Sequence, residues 1–124
     1  MKKRIVIIAL ALLFAAGVAG LLLHGRSAHD AAADEDMVII SVAGKESMRV
    51  PLSKPQRLTI RQETGEVNVV EITRDGVQMV EANCRNQLCV HSGKVTKENW
   101  EIRPNQAFIV CLPNQVTVEL VVKE

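Results

Sequence analysis

The sequence is poor in aromatic residues, with no tyrosine, two phenylalanines and one tryptophan among 124 residues. Proteins that bind single-stranded nucleic acid stack bases on aromatic side chains along a basic groove. Three of the 15 basic residues, Lys2, Lys3 and Arg4, precede a long apolar run, so the rest of the chain has fewer basic residues than its 14 acidic ones. We therefore expect no nucleic-acid partner.

Recognisable catalytic motifs are also absent. The sequence has no glycine-rich phosphate loop, no nucleophile with an identifiable base and orienting acid, and no paired acids in a known frame. Most glutamates alternate with apolar residues, which is typical of the solvated face of a sheet. An enzymatic activity is therefore not predicted, and no cofactor is indicated.

The long hydrophobic run lies at the N-terminus. Residues Ile5 to Leu23 contain no charge, and as a helix they would span roughly 28 Å, close to the thickness of a bilayer's hydrocarbon core. We predict a transmembrane helix in residues 1–24, an uncleaved signal anchor rather than a cleaved signal peptide, although Ala31-Ala32-Ala33 could supply a cleavage site. The basic residues before the run predict a cytoplasmic N-terminus and an extracytoplasmic domain at the cell membrane.

Residues 25–36 are predicted to form a linker, and residues 37–124 are predicted to form a domain. In this domain apolar residues recur at every second position, which indicates strands. Val38, Ile40 and Val42, for example, share one side of a strand. Strands are predicted at 36–43, 47–52, 56–63, 66–73, 77–83, 106–112 and 115–122. Asp75-Gly76 predicts a tight hairpin, because Gly tolerates positive backbone angles. The fold class is therefore all-β, a small antiparallel barrel or sandwich behind one N-terminal transmembrane helix.

All three cysteines lie between Cys84 and Cys111. Outside the cytoplasm neighbouring thiols pair, and a turn can bring Cys84 and Cys89 within bridging distance. Cys111 lies in the middle of a strand, facing away from Val110 and Leu112, as a buried hydrophobe would. A Cys89–Cys111 bridge is the competing pairing and would leave Cys84 free.

A redox-active or metal-carrying domain is the alternative class. Cys89-x-His91 and Cys111-x-x-Asn114 resemble the two halves of a Rieske cluster site, but asparagine replaces the second imidazole. Cys84, Cys89, His91 and Cys111 together could also form a tetrahedral zinc site. Thiol–disulfide exchange through Cys84 and Cys89 lacks the usual two-residue spacing at a helix start.

The pattern Cys84-x4-Cys89-Val90-His91-Ser92-Gly93-Lys94-Val95, followed by Ile109-Val110-Cys111-Leu112-Pro113-Asn114, resembles the NusG domain II family of small secreted or membrane-anchored bacterial proteins. The resemblance covers the chain from about Met37 onward. It implies an all-β domain behind one membrane helix, in a family without an established activity. Nothing in the sequence resembles the part of NusG that binds RNA polymerase, so no role in transcription is implied.

The cysteine loop gives the candidate site. A Cys84–Cys89 disulfide would shape the surface around Arg85, Asn86, Gln87 and His91, which we predict to contact a protein partner. The chain is thus predicted to be a membrane-anchored extracytoplasmic binding or accessory module. The identity of its partner does not follow from the sequence.

Overall fold

The computed structural model describes residues 1–30 and 35–123, and it describes side chains in residues 1–20 and 35–123. The chain divides into two compact units, Met1–Asp34 and Glu35–Glu124.

The first unit contains one helix, α1, over Lys2–Asp30. Its segment Lys2–Gly20 is long and apolar enough to cross a membrane, with a mean hydropathy of 2.0. The helix continues through the first half of the predicted linker, since a helix extends readily once formed and no proline interrupts it. Residues 31–34 of that linker lie outside the described residues.

In residues 35–123, the described part of the second unit, there are eight strands and one short helix. The strands are β1 Met37–Val42, β2 Lys45–Pro51, β3 Gln56–Arg61, β4 Val67–Thr73, β5 Gly76–Ala82, β6 Val95–Thr96, β7 Phe108–Cys111 and β8 Val116–Val121. The helix α2, Leu88–His91, lies between β5 and β6. All seven predicted strands are present, whereas β6 and α2 were not predicted.

The strands form two antiparallel sheets of four, with the orders β2-β1-β8-β7 and β3-β4-β5-β6. Both sheets are open, so the fold is sandwich-like and the predicted alternative of a closed barrel is wrong. The last two strands, β7 and β8, pair antiparallel, with Cys111 opposite Val116.

Side chains from both sheets form one core. The alternation predicted for β1 is confirmed, because Val38 and Ile40 are fully buried and pack in the same cluster as Val70 and Ile72 of β4. Each such side chain contributes roughly 1.5–3 kcal/mol when buried. Trp100 is partly buried and packs against this core.

The β4–β5 hairpin is confirmed, but the reason given for its glycine is wrong. Gly76 is the first residue of β5, and its φ lies outside the left-handed region. A Cβ at this position would lie 2.0 Å from the carbonyl oxygen of Val95. Gly76 is therefore needed because β6 approaches the β5 backbone closely.

Polar contacts hold β6 at this edge. Lys94 Nζ lies 2.7 Å from Asp75 Oδ1, and the Lys97 N–H donates to the Asp75 carbonyl at 3.0 Å. The Lys94 ammonium and the Thr73 hydroxyl lower the pKa of Asp75 to about 2. Asp75 therefore stays ionised, and keeps this contact, over the whole neutral and mildly acidic range.

Candidate functional site

The three cysteines converge at one place in the sandwich. Cys84 follows β5, Cys89 lies in α2, and Cys111 ends β7 of the other sheet. Their sulfur atoms all lie within 4.8 Å of one another. The exposed fractions are 7% for Cys84 and 1% each for Cys89 and Cys111. We call these three residues the thiol cluster.

All three cysteines are free thiols in this structure. The Sγ atoms of Cys84 and Cys89 are 3.7 Å apart, well beyond the roughly 2.05 Å of a disulfide bond. The Cys84–Cys89 disulfide therefore stays a prediction. Cys111 is close enough to the other two sulfurs to be a third member of the same site, a grouping that the sequence offered only as an alternative.

The predicted orientation of Cys111 is confirmed. Ile109 and Cys111 are both buried on the core side of β7. Leu112, the next residue, is 78% exposed. The alternation of the strand therefore directs the Cys111 thiol inward.

Of the four residues in the alternative metal set, the structure brings together the three cysteines but not His91. His91 is exposed, and among the described residues no histidine joins the three sulfurs. Cys89 and His91 are two positions apart in α2, which separates their side chains by roughly 200° around the helix axis. Because Cys89 faces inward, His91 faces outward.

The environments of two thiols differ. Burial, together with hydrogen bonds to the Cys111 and Cys84 sulfurs, raises the pKa of Cys89 to about 12. Burial also acts to raise the pKa of Cys111, but hydrogen bonds involving the Asn68 side chain and the Asn114 backbone outweigh it and the pKa is lowered. The Cys111 thiol therefore loses its proton more readily than the Cys89 thiol.

An asparagine network borders the thiol cluster. Asn114 Nδ2 donates to Asn68 Oδ1 at 2.9 Å and to Asn83 Oδ1 at 3.1 Å. Asn68 is fully buried and Asn114 is 5% exposed. The Asn114 side chain therefore joins the β7–β8 turn to the other sheet.

Asn68 and Asn83 were missed by the sequence analysis. Asn68 lies on the same side of β4 as the buried Val70 and Ile72. A polar residue at a position where the alternation predicts an apolar one is the signal that could have revealed it. Buried amides require partners, so such a residue indicates a second polar group facing it. Asn83 carries no comparable signal, because it ends a strand where asparagine is common.

The cysteine loop is held by Gln87. This residue has a left-handed backbone, with φ of 56°. Its side-chain Nε2 donates to the carbonyl oxygens of Ala82 at 2.6 Å and Cys84 at 2.7 Å. Gln87 is half-buried, so its side chain shapes the loop from within, although we predicted it to be part of the contact surface.

The other predicted surface residues face solvent. Arg85, Asn86 and His91 are exposed, and Leu88, which was not predicted, is 64% exposed. We call these four residues the loop surface. Asn86 Oδ1 accepts the Leu88 N–H at 3.2 Å, which fixes the start of α2.

The far end of α2 is fixed as well. The Ser92 hydroxyl donates to the Cys89 carbonyl at 2.8 Å, and Arg103 donates from Nη2 to the Ser92 carbonyl at 2.9 Å. Arg103 also donates to the Gln106 carbonyl at 2.8 Å. The loop surface is therefore attached at both ends to the rest of the domain.

Fold and site together define a small β-sandwich domain with a buried thiol cluster, preceded in sequence by an apolar helix. The chain belongs to the NusG domain II family, whose sequence model matches residues 5–124. The family resemblance expected from the cysteine pattern is thereby confirmed. No curated protein matches the chain.

The solved structures that are similar to this chain include proteins from three bacteria. A DUF1312 family protein from Enterococcus faecalis V583 has 21% identity and a TM-score of 0.61, covering 72% of this chain and 99% of that chain. The Lin0431 protein from Listeria innocua has 29% identity and a TM-score of 0.60, with 73% and 100% covered. A DUF1312 family protein from Ruminococcus gnavus ATCC 29149 has 31% identity and a TM-score of 0.54, with 70% and 99% covered. These likenesses support the fold and add no activity.

Replacing Asn114 by alanine tests the asparagine network. The substitution leaves the buried Asn68 Oδ1 without the donor at 2.9 Å, so we expect the free energy of unfolding to fall by about 1–3 kcal/mol. Denaturant unfolding followed by Trp100 fluorescence measures this change. Asn105→Ala, at an exposed asparagine, is the matched control. A loss no larger than that of the control would contradict a structural role for the network.

Proposed function

We propose that this chain is a membrane-anchored accessory module whose β-sandwich presents the loop surface to a protein partner outside the cytoplasm. The observation that carries the proposal is the exposure of Leu88, at 64%, on a loop whose backbone is fixed by side chains on either side. A partner that covers the Leu88 side chain would remove its apolar surface from water without first having to order the loop.

The rigidity of the loop favours recognition. Gln87 fixes the entry to α2, and Ser92 and Arg103 fix its exit. A surface that is already ordered loses little conformational entropy when a partner binds. Arg85 and His91 flank Leu88 in sequence and add polar groups, so the surface combines an apolar anchor with a polar rim.

The proposed anchor is α1. Its segment Lys2–Gly20 has the length and hydropathy of a membrane span, and Lys2, Lys3 and Arg4 supply the charges that retain an N-terminus in the cytoplasm. In this topology the domain from Glu35 onward lies outside the cytoplasm, in the same compartment as the proposed partner.

Labelling of lysines in intact cells tests this topology. A membrane-impermeant amine reagent is expected to modify the exposed Lys45 and Lys54 but to leave Lys2 and Lys3 unmodified, as read by mass spectrometry. Lysed cells, in which all four lysines react, provide the control. Labelling of Lys2 in intact cells would refute a cytoplasmic N-terminus. A mature N-terminus at or after Asp34 would refute an uncleaved anchor.

Site-specific photo-crosslinking tests the loop surface. A photoreactive residue in place of Arg85 is expected to give a discrete adduct in membranes, and the Leu88→Asp substitution should abolish it. Arg74 is the matched control position, because it is an exposed arginine beside the opposite end of β5. Equal adducts from both positions, or an adduct that survives Leu88→Asp, would argue against a specific partner.

We further propose that Cys84 and Cys89 pair in the exported, metal-free domain. A disulfide oxidant of the extracytoplasmic compartment would accept two electrons and two protons from the thiols, which closes a short ring beneath the loop surface. In the chain-entropy model such a ring adds on the order of 2 kcal/mol. Thiol titration of the metal-free, denatured, non-reduced protein should find one free thiol, at Cys111. The Cys111→Ser variant should then show none, whereas three free thiols in the exported wild-type protein would rule the bridge out.

A further inference from the structure

We propose that the thiol cluster is a binding site for a soft monovalent metal ion, Cu(I), with Cys84, Cys89 and Cys111 as its three ligands. This inference goes beyond the proposed function, because it rests on the meeting of three sulfur atoms and not on the loop surface.

The spacing of the sulfur atoms suits a shared metal ion. Metal–thiolate bonds of roughly 2.3 Å, the length known for zinc, place sulfur ligands about 3.8–4.0 Å apart. Cys84 Sγ and Cys89 Sγ are 3.7 Å apart, and all three sulfurs lie within 4.8 Å of one another. Only small side-chain shifts are needed to bring three such atoms around one ion.

The ligand set favours Cu(I) over zinc. Three thiolates are soft ligands, which Cu(I) and zinc both accept. Zinc takes four ligands and, where the protein supplies three, completes its set with water. Among the described residues no histidine or carboxylate joins the three sulfurs, and Cys89 and Cys111 are 1% exposed, which leaves little access for water.

Binding would convert three S–H groups to thiolates and release three protons, leaving a net charge of −2 on the metal and its ligands. Amide donors around the cluster can stabilise this charge. The Asn68 side chain and the Asn114 backbone hydrogen bond with Cys111, and Gln87 Nε2 donates to Cys84 Sγ at 3.8 Å. The residues that frame the cluster thus also suit its metal-bound form.

The metal and the disulfide use the same atoms and exclude each other. A Cys84–Cys89 bond removes two of the three ligands, so the disulfide belongs to the metal-free domain. Conversely, bound Cu(I) occupies the sulfurs that would otherwise be oxidised.

The test is anaerobic titration of the reduced, detergent-solubilised full chain with Cu(I) against a chromophoric Cu(I) chelator. We expect one equivalent to bind. Each of Cys84→Ser, Cys89→Ser and Cys111→Ser should weaken binding at least about tenfold. His91→Ala is the control and should bind as the wild type does, because His91 faces away from the cluster. X-ray absorption of the wild-type complex should show three sulfur scatterers, a result that does not depend on the folding of any variant.

Two results would overturn the proposal. One is wild-type protein with three titratable thiols that binds no Cu(I), or takes up zinc in preference to it. The other is a complex with fewer than three sulfur ligands, or one weakened as much by His91→Ala as by a cysteine substitution. Either result leaves the crosslinking and topology of the proposed function unaffected, since those experiments do not involve the sulfurs.

Discussion

The hydrogen bond between Asn114 and Asn68 is the interaction on which the arrangement of the site depends. Asn114 lies in the β7–β8 turn of one sheet, and Asn68 lies in β4 of the other. A buried amide without a partner costs about 1–3 kcal/mol, so the two side chains strongly favour the packing in which they meet. That packing sets the position of Cys111, three residues before Asn114, relative to the cysteines that follow β5.

Alternation predicted the strands well because it reports directly which side of a strand faces the core. It could not predict β6, whose two residues form a strand only where the side-chain-free Gly76 allows close approach. Nor could it predict α2, because four residues are too few to show a helical period. Both β6 and α2 are stabilised by contacts with residues distant in sequence. A pattern read from neighbouring residues does not report such contacts.

The site was predictable in part for the same reason. Three cysteines between residues 84 and 111 indicated a shared site. The alternation of β7 correctly predicted that the Cys111 side chain faces the core. The meeting of Cys111 with Cys84 and Cys89 depends instead on how the two sheets pack. The sequence therefore offered it only as an alternative, in a zinc site or a Cys89–Cys111 bridge. The outward orientation of His91 likewise follows from α2, which replaced the loop that the sequence had suggested.

The thiol cluster and the loop surface are two sides of one short element. Cys89 faces inward from α2, whereas Leu88 and His91 face outward. Any bond formed at Cys89, whether to Cys84 or to a metal ion, therefore constrains the backbone that carries the exposed Leu88. A bond that includes Cys111 would also tie α2 to β7, and hence to the opposite sheet. Either proposed bond would add to the hydrogen bonds of Gln87, Ser92 and Arg103 that already fix this surface, although no sulfur is itself exposed enough to contact a partner.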